Sequence, residues 1–279
     1  MCSGPMRLGR SALLVGLLSL LWATGAAHAK PRVLVKPDKF RPTQEYVGKA
    51  LVEQLVDEWR QDAASRKQTL KKYAKDVLVP EFAKLKIPTV LDPSGKIRNT
   101  DGHHRISALI EVEKETGVEI PIGTKVVADY TGKSEKKFAK SFIKRWGGDQ
   151  FSPAVKDESA VKQMASLPKT FTGLRNDPMR SVVGEAFRLN GLEGVKFEDF
   201  VEFKLARQLE KRGLIGDLRE AGVLDSKQRK VPANLVFDAG LQKVVTEELT
   251  KKSTRKFLLD QAAGHSAEKK LKKRLKEIN

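Results

Sequence analysis

One short stretch constrains this chain more than any other: Asp101-Gly102-His103-His104-Arg105, set between a β-branched run and an apolar one. Before it, Ile87-Pro88-Thr89-Val90-Leu91 has the short, branched character of a strand. Asp92-Pro93-Ser94-Gly95 is a turn signal, and Lys96-Ile97-Arg98-Asn99 reads as a return strand. After it, Ile106, Ala108, Leu109 and Ile110 open a helical pattern that Gly117 stops. The expected order is strand, turn, strand, polar elbow, helix. A helix that begins at a glycine turn leaves backbone N–H groups unpaired at its positive end, where an anion is stabilised. Arg105 in the first turn adds a two-pronged donor, and the two imidazoles add donors or proton carriers. A phosphate or carboxylate is the natural ligand for such an elbow. The plainer alternative makes Asp101 the helix N-cap, Gly102 a turn residue, and His103 and His104 ordinary first-turn side chains. Four polar residues and a glycine crowded at a strand-to-helix elbow favour a binding or catalytic site.

The first 29 residues stand apart. Arg7 and Arg10 make a basic start, and residues 11–22 form an apolar run too short to span a bilayer comfortably. Ala27-His28-Ala29 is a small-residue cleavage signal. This is the pattern of a secretory signal peptide removed after Ala29, which implies a periplasmic or secreted protein with no transmembrane segment in its mature chain. An uncleaved amino-terminal anchor is the rival reading. Cys2 is the only cysteine, so the mature chain has no disulfide and relies on its core. The net charge is +18, or +16 once Arg7 and Arg10 are removed. Such a charge attracts polyanions: nucleic acid, anionic lipid head groups or an anionic envelope surface. With aromatic residues at 6%, a stacking platform for single-stranded nucleic acid is poorly supplied.

The mature chain reads as α+β, with a domain over 30–147 and a mostly helical region with a basic tail over 148–279. Arg32-Val33-Leu34-Val35 is an expected strand. Thr43 is the expected N-cap of a helix beginning at Gln44 and carrying Val47, Leu51, Leu55, Val56 and Trp59. Lys125 to Tyr130 reads as a strand, and Ser134 caps a helix through Phe138, Phe142 and Trp146. Gly147 to Pro153 and Ser166-Leu167-Pro168 are hinge candidates. Asp177 with Pro178 supplies an N-cap and an N1 proline for a helix reaching Asn190. Phe197, Phe200, Phe203, Leu205 and Leu209 mark another helix, ended by Gly213. Pro232 opens a third, with Leu235, Val236, Leu241 and Val245. The tail from Lys269 to Lys276 holds six Lys/Arg, with Leu271 and Leu275 at helical spacing.

The stretch Asp101 to Arg105, followed by a small and apolar helix, resembles the signature of the ParB/sulfiredoxin superfamily in its ParB-like nuclease branch. Arg41-Pro42-Thr43-Gln44 with Val47-Gly48 resembles that branch's amino-terminal element, and Asn176-Asp177-Pro178-Met179-Arg180-Ser181 a downstream one. The resemblance spans residues 32–215. It implies a ParB/sulfiredoxin-like amino-terminal domain and, from the branch name, phosphodiester hydrolysis. Within it, Arg105 corresponds best to an arginine that holds nucleotide phosphates. Gln44 stands where the free-serine kinases of the superfamily carry a glutamate base, and an amide cannot accept a proton at pH 7. Sulfiredoxin chemistry is excluded, because it needs a cysteine where this chain has His103 or His104. The helix-turn-helix of partition proteins is not recognisable in residues 150–279.

The catalytic candidates are therefore His103, His104 and Asp101, and the ligand-binding candidates Gly102, Arg105, Gln44 and Arg180. No metal site is assigned. Adjacent histidines on a helix diverge by about 100° and do not easily share an ion. One histidine with Asp101 and a distant carboxylate leaves a divalent metal open as cofactor. The leading expectation is an exported protein that binds a phosphate-containing or other anionic ligand at the elbow, with hydrolysis of a phosphodiester as its reaction. The alternative is a non-catalytic polyanion- or envelope-binding module. A small-molecule phosphotransferase of the free-serine-kinase type is a third reading, weakened by Gln44.

Overall fold

The computed structural model describes residues 33–146, 159–192, 195, 201–225, 227 and 238–278. The expected signal peptide, the hinge at Gly147 to Pro153, the core positions Phe197 and Phe200, and the helix start at Pro232 with Leu235 and Val236 lie outside the described residues.

The amino-terminal part runs β1 (Val33–Val35), β2 (Tyr46–Val47), α1 (Lys49–Ser65) and α2 (Leu70–Tyr73), then through a π turn into α3 (Val79–Lys84). It continues with β3 (Ile87–Leu91), β4 (Ile97–Asn99), α4 (His103–Thr116), β5 (Ile122–Asp129) and α5 (Glu135–Trp146). After the undescribed segment come α6 (Ala160–Ser166) and β6 (Arg175–Asn176), then helices α7 (Pro178–Leu189), α8 (Val201–Lys211) and α9 (Leu214–Glu220). The last three are α10 (Ala239–Thr250), α11 (Lys252–Asp260) and α12 (His265–Glu277). The class is α+β, with the expected helical carboxy-terminal region.

Four strands form a mixed sheet in the order β1-β5-β3-β4. β5 lies parallel to β3 and antiparallel to β1, and β4 folds back antiparallel on β3. The β3–β4 turn is locked by Asp92, whose buried carboxylate accepts from Ser94 N–H and hydroxyl, Lys96 N–H and Arg98 Nε. That lock fixes where Asn99, the last residue of β4, delivers the chain to the elbow. Val52, Val56, Ile106, Leu109 and Val112 from α1 and α4 pack with Ile87, Ile120 and Ile122. Val90 packs instead with Phe138, Phe142, Met164 and Leu167. β3 can supply both groups because its register to β5 shifts between Thr89 and Val90.

A further core holds Met179, Val182, Val183 and Phe187 of α7 together with Leu205, Leu241 and Leu271. Phe171 and Leu174, just before β6, belong to the sheet's core instead. β6 pairs in parallel with β2, Tyr46 against Arg175 and Val47 against Asn176. Each of these strands leads directly into a helix, so α1 and α7 start side by side. A Cβ on Gly184 would collide with Leu51, which shows how closely the two helices pack.

The first helix departs from expectation. It starts at Lys49, not Gln44, and Thr43 is not its N-cap. The Thr43 hydroxyl instead donates to Asn99 O, 56 residues away, at 2.8 Å. Long-range partners therefore hold residues 43–48 in extended and bent backbone where local pattern alone favours a helix.

Candidate functional site

The elbow forms because Gly102 occupies the N-cap position of α4 with φ +76°, a left-handed backbone that side-chain-bearing residues seldom adopt. Asp101 is exposed and does not cap the helix; its Oδ1 accepts the N–H of Gly102 at 2.6 Å. No side chain caps α4. Its first internal bond is Ile106 N–H to Gly102 O, so the N–H groups of His103, His104 and Arg105 have no partner within the helix. Arg105 is exposed beside them.

The two histidines turn inward. His103 is buried, 6% exposed, and stacks on Phe171 with ring centroids 5.6 Å apart. Its Nε2 accepts the Thr43 N–H at 3.1 Å. His104 Nε2 accepts the Gly48 N–H at 3.1 Å. A ring nitrogen that accepts carries no hydrogen, so each neutral imidazole keeps its proton on Nδ1. Burial, followed by the charge of Arg180, holds His103 well below the usual histidine range. Burial and Arg180 do the same for His104, with smaller contributions from His103 and Arg105.

The loop they hold joins three helix starts. Gly48 is the N-cap of α1, with no side-chain cap. Its N–H meets α4 through His104, and Lys49 N–H meets Asn176 Oδ1 at 2.9 Å, next to the start of α7. A Cβ on Gly48 would stand 2.7 Å from Ser181 Oγ, 3.0 Å from Ser181 N and 3.2 Å from His104 Nε2. Only glycine fits where the three helices meet. Asp177 caps α7 by accepting the Arg180 N–H.

Arg180 comes from the first turn of α7 and is 4% exposed. It donates to Tyr46 O at 2.9 Å, lies 3.5 Å from Glu202, and stacks on the Phe203 ring at 3.8 Å. Gln44 is 2% exposed in the same loop. Gln44 Nε2, Asn99 Oδ1, Arg180 Nε and Ser181 Oγ are buried without a hydrogen-bond partner. Three positive helix ends and a guanidinium thus meet beside the unspent donors Gln44 Nε2, Arg180 Nε and Ser181 Oγ, which is a setting for an anion, while Asn99 Oδ1 is an unspent acceptor. Lys49, Arg105 and Arg175 are exposed, each one residue along the chain from a group in this cluster.

Of the residues expected from sequence, His103, His104, Gln44 and Arg180 lie in the buried cluster, while Asp101 and Arg105 lie at the surface and Gly102 between them. Gly48, Thr43, Asn99 and Ser181 join them unforeseen. Gly48, Thr43 and Ser181 were legible only as members of the two flanking motif elements, and nothing marked Asn99 as more than the end of a strand. Among the described residues, no three His, Cys, Asp or Glu side chains group as metal ligands, and no helix is long and apolar enough to cross a membrane.

The comparison with curated proteins finds no match. Among solved structures, the chain is similar to the crystal structure of protein Atu1540 from Agrobacterium tumefaciens, with 23% identity and a TM-score of 0.55. The alignment covers 84% of this chain and 99% of that one, a likeness of fold. A family model described as "Putative ParB-like nuclease" matches residues 33–211, well over half of the chain. The chain therefore belongs to the ParB-like nuclease family.

Proposed function

We propose that this protein binds a phosphate-containing ligand at the elbow between β4 and α4. The observation that carries the reading is the meeting of three helix N-termini at Gly48, His104 and Ser181, with α4 uncapped beside exposed Arg105. Free N–H groups of the first turn of α4 take phosphate oxygens, and Arg105 supplies a charge-assisted fork. His103 and His104 are positioning residues: their Nε2 atoms hold Thr43 and Gly48. Arg180 and Gln44 lend donors and positive potential from behind. The chain works outside the cytoplasm, exported by its first 29 residues.

Phosphodiester cleavage is the second reading, favoured by the family description. Neither histidine can serve as a base through Nε2 without releasing a backbone N–H. That role falls to Asp101, an exposed carboxylate at the mouth of the elbow.

The test is titration of inorganic phosphate and of a nucleoside triphosphate into wild type and Arg105→Ala, followed by calorimetry. Loss of the fork weakens binding by about 2 kcal/mol with the fold intact, since Arg105 is exposed. Equal binding by both proteins refutes the site. Cleavage of a phosphodiester by wild type and not by Asp101→Asn supports the second reading; no cleavage with any divalent metal leaves a binder.

A further inference from the structure

We propose that the outer face of α5 docks on a membrane surface rich in anionic phospholipid. Between Lys133 and Trp146 the chain holds six Lys/Arg and one Glu. At about 100° per residue, Lys136, Lys137, Lys140 and Lys144 fall within an arc of roughly 100° on one side of the helix. All four are exposed, and they form no ion pair among the described residues. They span about 12 Å along the axis. Glu135, the one acidic residue of the helix, lies outside that arc.

The other side of α5 fixes how the row is presented. Phe138, Ala139 and Phe142 are buried with Val90, Met164 and Leu167, so the helix cannot roll its apolar face outward. Its lysines are therefore held on a convex outer crest. Two partly exposed apolar groups belong to the same layer. Trp146 ends the helix half-buried, stacked on Phe142 at 4.9 Å with Arg145 over its ring at 4.8 Å. Val161, 40% exposed, lies on α6, which packs with α5.

That combination selects the partner. Unpaired lysines also stand elsewhere, Lys211, Lys252 and Lys269 among them, so charge alone singles out no face. What sets α5 apart is four lysines in one arc on a helix that ends in a half-buried tryptophan. A cluster of about four or more Lys/Arg on an amphipathic helix attracts anionic head groups, and tryptophan settles at their level. An acidic or phosphorylated peptide is gripped instead by forked arginines. Arg145 is the one arginine of α5, and its guanidinium is stacked on Trp146. Because both phenylalanines stay in the core, the contact is peripheral. The lysines reach head groups while the helix lies on the surface.

The test is co-sedimentation with vesicles of phosphatidylcholine, with and without phosphatidylglycerol. The protein is used in its mature form, from Lys30, as the export reading has it, which removes the apolar run 11–22 as an anchor of its own. Three proteins are compared: wild type, Lys136→Gln/Lys140→Gln/Lys144→Gln, and the charge-matched control Lys269→Gln/Lys273→Gln/Lys276→Gln. Glutamine matches lysine closely in helix propensity, and circular dichroism checks the fold. Each lysine near an anionic surface is worth about fivefold in affinity, so the α5 variant should bind phosphatidylglycerol vesicles roughly a hundredfold more weakly. The control should stay close to wild type, and added salt should release wild type from the vesicles. Equal binding by wild type and the α5 variant overturns the proposal, as does wild-type binding that ignores phosphatidylglycerol. An equal loss in the control overturns it in favour of overall charge. Binding of a DNA duplex through these lysines, with no binding to phosphatidylglycerol vesicles, overturns it in favour of a nucleic acid.

Discussion

His104 Nε2 lies 3.1 Å from the Gly48 amide nitrogen and accepts its proton, which ties the second residue of α4 to the residue that opens α1. His103 makes the equivalent tie to Thr43. An imidazolium has no lone pair to offer, so both ties exist only while the rings are neutral. Burial beside Arg180 enforces that neutrality, and the loop over residues 43–48 depends on it.

Acid should therefore destabilise the fold. Both histidines are depressed in the folded state and near 6.5 in the unfolded one. Below pH 6.5 the unfolded chain binds protons that the folded chain refuses, so unfolding free energy rises with pH there. The stabilisation is fully present above pH 6.5 and is lost as pH falls toward the depressed values. The limiting slope is about 1.4 kcal/mol per pH unit for each histidine. Urea unfolding between pH 5 and pH 7 checks this, with His103→Gln/His104→Gln as comparison. The double variant should show a flatter dependence; an equal slope would mean that other groups carry the effect.

Gly48→Ala should cost about 1–3 kcal/mol, the scale of overpacking in a filled core. The new methyl meets Ser181 Oγ at 2.7 Å and Ser181 N at 3.0 Å. The hydroxyl can rotate away but the backbone nitrogen cannot. Adding Ser181→Ala should thus recover part of the loss and not all of it, as read from denaturant midpoints. Full recovery would show that only the hydroxyl obstructs.

Much of this fold was legible because its signals are local. Gly117 ends α4, Asp177 and Pro178 open α7, and the turn at Asp92 to Gly95 joins β3 to β4, each as the neighbouring residues dictate. The elbow's five residues were visible for the same reason. What sequence could not give was the direction of the side chains. Two adjacent histidines look alike in a first turn, yet both point to partners about 60 residues earlier. The start of α1 was misread because Thr43 offers a cap locally but spends its hydroxyl on Asn99. Ser181 became part of the cluster only through the parallel pairing of β2 with β6, a contact between segments 129 residues apart.

The amino terminus gives a separate prediction. Arg7, Arg10 and Ala27-His28-Ala29 carry the pattern of an export signal, and we propose that it is cut after Ala29. Mass spectrometry of the protein recovered from its native envelope should find Lys30 first. An intact Met1 in a cytosolic fraction would refute export.

Arg180 is where the helical region reaches the elbow, and its replacement separates two roles. Arg180→Ala removes the donor to Tyr46 O, the stacking on Phe203 and the volume between them. A buried carbonyl left unpaired, a lost cation–π contact and a cavity together cost on the order of 3 kcal/mol. Arg180→Lys keeps the charge but not the flat, forked group, so it should recover only part of that stability. The histidines distinguish packing from electrostatics. Arg180's charge lowers both their pKa values, second in size only to burial. Without it, both should titrate closer to 6.5, and the acid-sensitive window of stability should narrow from its low end. With lysine, the histidines should stay depressed even though stability is reduced. NMR titration of the imidazole resonances in the three proteins decides the matter. Histidine pKa values identical in wild type and Arg180→Ala would show that burial alone keeps the rings neutral and that Arg180 is only a packing residue.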